Sequence, residues 1–115
     1  LEFYDCFLCG MRTGYIDYDA RRRDPVIERS RAEAARRIQE IIASLNSGNY
    51  EHEDFIVMVR MEGADEMGIT GGWLASSVSR ELQTLSSHTI HHFALIAVTL
   101  RAQGIPVDAS FGVAP

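Results

Sequence analysis

The chain has 115 residues, enough for one small domain and too few for two. Its 46% hydrophobic and 23% charged residues, with 9 Gly and only 3 Pro, exclude collagen-like, proline-rich and strongly disordered classes. Eleven basic against 16 acidic residues give a net charge of -5, the wrong sign for gripping phosphate backbones through bulk charge.

In chain order, the first predicted element is a helix over about Leu1–Met11, with Leu1, Tyr4, Phe7, Leu8 and Met11 at helical spacing and no capping residue at its start. It carries both cysteines, Cys6 and Cys9, as C-x-x-C. A thioredoxin-like motif of that form follows a strand, and none precedes it here. A structural zinc site needs a second pair. The two thiols read as small, partly buried residues one turn apart.

Tyr15–Arg23 reads as a polar connection. All basic residues are Arg, and eight lie between Arg12 and Arg37, including Arg21-Arg22-Arg23. Asp17, Asp19, Asp24, Glu28 and Glu33 are interleaved with them, so ion pairing within the chain is expected and nucleic-acid binding is not.

A second helix should start between Asp24, followed by Pro25 at a good first position, and Ser30, which heads the capping box Ser30-x-x-Glu33. Ala34, Ile38, Ile41, Ile42 and Leu45 form one apolar stripe facing a core, and the helix ends in Asn46-Ser47-Gly48-Asn49. Glu51–Glu66 carries six acids and reads as a solvated rim. Within it, Phe55–Met61 is β-branched and apolar, a strand. A weaker strand at Ile69–Ala75, after a turn containing Gly63 and Gly68, would complete a hairpin. Gly71-Gly72 is not a phosphate loop, because no Gly-Lys-Ser/Thr follows.

The last helix is the longest, capped by Ser76 or Ser77 and ended by Gly104 before Ile105-Pro106. Roughly 26 residues at 1.5 Å each make a rod of about 39 Å. Leu82, Leu85, Ile96 and Leu100 make much of its apolar side. No apolar run reaches the ~18–20 residues that span a bilayer, no leader is legible at Leu1-Glu2-Phe3-Tyr4, and the free thiols suit a reducing cytoplasm. Helices of these lengths belong in a four-helix bundle, and one helix is missing from the pattern.

The chemistry lies on that last helix. Three of the 4 His fall in Ser87-His88-Thr89-Ile90-His91-His92-Phe93. His88 and His92 are i and i+4, one above the other, and two imidazoles so placed can chelate a divalent ion. Thr89 stands where the metalloprotease motif has Glu, and no Glu-x-x-His precedes either ring, so protease and di-iron readings fail. Glu81, two turns earlier, and His91, about 100° around the helix, are the candidates for orienting the ligands. His52 has no assigned role.

Three strings together resemble the DinB/YfiT-like superfamily, in a bacterial DinB-like branch. They are Tyr15-Ile16-Asp17-Tyr18-Asp19-Ala20-Arg21-Arg22-Arg23-Asp24 with Ile27-Glu28; Arg80-Glu81-Leu82 through Ser87-His88-Thr89-Ile90-His91-His92-Phe93-Ala94-Leu95-Ile96-Ala97; and Phe111-Gly112-Val113-Ala114-Pro115. The resemblance implies a four-helix bundle, so the expectation is one mainly α domain over 1–115 that carries the small β-hairpin read above before its last helix. It also implies one divalent ion, zinc or nickel, held by three histidines, of which His88 and His92 match two. The third ligand is expected upstream of Leu1, so the chain reads as shortened at both ends and without its first helix. Phe3 stands where relatives often carry another His. Many members follow the histidine pair with Arg-Gly, where this chain has Phe93-Ala94.

Two functions follow as expectations. One is a metal-dependent hydrolase or thiol transferase acting on a small molecule or thiol. The other is a non-catalytic, metal-stabilised, stress-associated module. A cytoplasmic homodimer, with neither nucleic acid nor membrane as partner, is expected for both.

Overall fold

The computed structural model describes residues 1–48, 54–61 and 72–114. The order is α1 (Glu2–Gly10), β1 (Tyr15–Asp17), α2 (Pro25–Arg29), α3 (Arg31–Ser47), β2 (Ile56–Arg60), β3 (Leu74–Ser77) and α4 (Val78–Ala102). The protein is mainly helical with a small three-stranded sheet. It divides into two compact units, Leu1–Glu81 and Leu82–Pro115.

In the first unit, α1 starts at Leu1 without a side-chain cap, as its sequence indicates. Tyr15–Asp17, expected as part of a polar connection, is instead a strand. Three residues are too few to show alternation, but Ile16 and Tyr18, two apart, are both buried while Tyr15 is exposed. β1 pairs parallel to β2, with Ile16 opposite Val59, and β2 pairs antiparallel to β3, with Val59 opposite Leu74. The expected hairpin is therefore two thirds of a sheet. Its second strand is Leu74–Ser77, overlapping the end of the expected Ile69–Ala75, while residues 69–71 and the turn with Gly63 and Gly68 fall outside the described residues.

Both proposed starts of the second helix are used, because there are two helices. Asp24 accepts from the Val26 amide at 2.9 Å and caps the one-turn α2. Ser30 then takes extended backbone angles (φ -120°, ψ 108°) and accepts from the Glu33 amide at 3.2 Å, capping α3. The box is half closed: the Ser30 amide bonds Val26 O, and the Glu33 carboxylate turns to Arg36. The α3 stripe is less buried than its spacing predicts. Ile41 is buried, Ala34 and Leu45 are half-buried, and Ile38 and Ile42 are exposed.

Among the described residues, Phe7, Ile16, Tyr18, Ile41, Val57 and Val78 are the buried apolar side chains of this unit. Gly10 lets α1 close on β1, since a Cβ there would lie 2.5 Å from Tyr15 O and 2.6 Å from Ile16 Cα. Asp17 accepts from Arg60 Nη2 at 2.6 Å and from Arg60 Nε at 3.2 Å across the β1–β2 seam. Arg37 pairs with Asp5, linking α3 to α1.

α4 opens with Ser77 Oγ accepting from the Arg80 amide at 3.4 Å and Asp54 Oδ1 accepting from the Ser79 amide at 2.9 Å. It closes as predicted at Gly104 (φ 73°). The Gly104 amide bonds Arg101 O and the Ile105 amide bonds Leu100 O, both at 3.0 Å, which is the Schellman pattern. Among the described residues no helix is long and apolar enough to cross a membrane.

Candidate metal centre

The histidine helix is uninterrupted. Thr89 and Thr99, which could compete for the backbone, bond the carbonyls of Leu85 and Leu95 four residues back, each at 2.8 Å. His88 and His92 consequently stand one turn apart on one stripe. Their rings meet edge to face with centroids 4.5 Å apart and an interplanar angle of 85°. Their Nε2 atoms lie 3.0 Å apart, and both residues are exposed.

Two chemistries fit that distance. With one ring protonated at Nε2 and the other not, the pair shares a hydrogen bond. With both Nε2 lone pairs free, the same separation subtends about 90° at an ion held at the usual ~2.0–2.1 Å. The two rings thus fit neighbouring positions in a zinc or nickel coordination sphere. Among the described residues no cluster of three or more His, Cys, Asp and Glu side chains is placed to hold a metal. His52 lies outside the described residues. The His91 ring is exposed, with its centroid 5.8 Å from that of His92 and tilted by 59°.

The tail string reaches the same helix. Phe111 stacks on Phe93 with centroids 5.0 Å apart, and Gly112 (φ 78°) approaches so closely that a Cβ would lie 2.5 Å from the Ala94 amide nitrogen. Two of the strings that carry the family resemblance are therefore in contact, one residue beyond His92.

Glu81 has a different environment. Its carboxylate is buried in the first unit, accepting from Tyr18 Oη at 2.8 Å and from Ser76 Oγ at 2.6 Å. Burial first, and then the Glu81 hydrogen bond and charge, raise the Tyr18 phenol above its ordinary value. Sequence reasoning missed this trio. The available signals were the period-two burial of Ile16 and Tyr18 and a lone acid in the first turn of an apolar helix.

A second feature went unread. Cys6 and Cys9 line a cleft of about 330 Å³ together with Asp5, Asp17, Arg21 and Arg22. Cys6 is half-buried and Cys9 exposed, and both are free thiols. Burial chiefly, then the charges of Asp5 and Asp17, push the Cys6 thiol up, against the opposing effect of Arg21.

Of the arginine run, Arg23 pairs with Glu28 at 3.0 Å and Arg21 lies 5.0 Å over the Phe3 ring. Comparison with protein-family models, with curated proteins and with solved structures finds no match to this chain.

Proposed function

We propose that this is a DinB-like divalent-metal-binding protein, with His88 and His92 as two ligands of one zinc or nickel ion. The observation that carries the reading is the 3.0 Å convergence of the two Nε2 atoms on one helix. The resemblance adds a third histidine ligand, a four-helix bundle and a cytoplasmic homodimer to the same proposal. A divalent ion in that position supplies Lewis acidity, lowering the pKa of a water molecule or thiol that reaches it. The chain's own part is to present two neutral imidazoles in fixed register on an exposed stretch of α4.

Hydrolysis or thiol transfer on a small molecule is the reading proposed, with a closed, metal-stabilised and non-catalytic module as the alternative. His91 is assigned to orienting the neighbouring His92. The test is nickel and zinc binding by calorimetry on the intact protein. His88→Ala and His92→Ala should each weaken binding at least tenfold, and His91→Ala should weaken it less. Equal affinity in all four proteins would remove the site.

A further inference from the structure

The cleft on α1 carries chemistry independent of the histidines. Cys6 and Cys9 are i and i+3 within one helix and open into the same cleft. Residues so spaced have Cβ atoms ~5–6 Å apart. A disulfide requires ~3.5–4.5 Å, so closing one would mean unwinding the last turn of α1. An ion bridging two thiolates end to end, with metal–sulfur bonds like the ~2.3 Å of zinc thiolates, spans about 4.6 Å between sulfurs. The helical spacing thus suits a bridging ion better than a direct S–S bond.

Charge selects the ion. Two thiolates with a monovalent cation leave one net negative charge, and Arg21 and Arg22 line the cleft where that charge would sit. Glu2, Asp5 and Asp17 line it too; Asp5 and Asp17 are already paired, with Arg37 and Arg60 respectively, which sets the two guanidiniums of the cleft against the one carboxylate of Glu2. Zinc asks for four ligands, whereas soft thiolate pairs select cuprous copper.

We infer that Cys6 and Cys9 form a dithiolate site for a monovalent thiophilic cation of the cuprous type, with Arg21 and Arg22 as its counter-charge. Binding releases two thiol protons to solvent and changes no oxidation state.

The experiment is an anaerobic titration of the reduced, intact protein with cuprous bicinchoninate, read by loss of the chelator's colour. The protein should withdraw one equivalent. Cys6→Ser and Cys9→Ser, both near-isosteric, should each withdraw less than a tenth of that, with helicity checked by circular dichroism. The His88→Ala/His92→Ala double variant should match the parent, which separates this site from the histidine pair. Arg21→Ala/Arg22→Ala should retain the ion about tenfold more weakly. No withdrawal by the parent, or full withdrawal by either serine variant, would overturn the assignment. As a second readout, cuprous ion should shield both cysteines from alkylation, and equimolar zinc should not. Equal shielding by zinc would refute the selectivity.

Discussion

The phenol of Tyr18 donates to Glu81 Oε2 at 2.8 Å, joining residues 63 apart in sequence inside the first unit. Ser76 Oγ bonds the other oxygen, so a buried carboxylate is held by two neutral hydroxyls. Removing one donor leaves part of the carboxylate desolvated without compensation, at a cost of ~1–3 kcal/mol. Tyr18→Phe should lower stability by that amount at neutral pH, as read from urea unfolding. The pH dependence has a definite sign. The folded state holds the Tyr18 proton more tightly than the unfolded state, whose phenol titrates near 10. The contribution is present in full below that pH and is lost as pH rises beyond it. The gap between parent and Tyr18→Phe should therefore hold steady up to about pH 9 and narrow from about pH 10 to about pH 12. A gap constant across that range would contradict the account.

Gly10→Ala tests the contact of α1 with β1. The new methyl would meet backbone atoms at 2.5 and 2.6 Å, and backbone cannot swing aside as a side-chain end can. Overpacking of this kind costs ~1–3 kcal/mol. A melting temperature within error of the parent's would show that α1 can tilt away freely.

Gly112→Ala addresses the tail on α4. Ala meets both a left-handed backbone at φ 78° and a 2.5 Å approach to the Ala94 nitrogen. Amides of residues 108–114 should exchange faster with deuterium, and the Phe93–Phe111 stack should open. The urea midpoint reported by the buried Tyr18 should not move.

Ser30→Ala removes the cap of α3 without touching that of α2. The loss should be ~0.5–2 kcal/mol, accompanied by fraying confined to the first turn of α3. Ser30→Asp should restore the parent's stability, since a carboxylate accepts the same amide bond. Failure of Asp to rescue would show that the Ser30 side chain does something other than cap.

Long periodic elements and capping residues were legible in the sequence. α4 ends at Gly104 because only that position combines a free left-handed residue with a following Ile-Pro, and Asp24 and Ser30 were both readable as caps. That both operate, splitting one helix into two, depended on the extended backbone at Ser30, which pattern alone does not report. β1 was illegible because three residues cannot display a period and its partner lies beyond α3. The α3 stripe showed which side of the helix is apolar, but burial depends on what is packed there, and Ile38 and Ile42 remain exposed. The convergence of His88 with His92 followed from helical spacing. The trio of Tyr18, Ser76 and Glu81 could not be read, since it joins three elements whose adjacency is decided by the sheet.

The sheet's two seams also differ in time. Val59 and Leu74 stand 15 residues apart in sequence, whereas Asp17 and Arg60 stand 43 residues apart. By loop-closure entropy alone the longer seam is dearer by about 0.9 kcal/mol, and every contact along it waits on that closure. The β2–β3 hairpin should therefore nucleate first and β1 dock onto it late, after α2 and α3 have shortened the intervening chain. A truncation at Ile16 would then mainly quicken unfolding, and one at Val57 would slow folding itself.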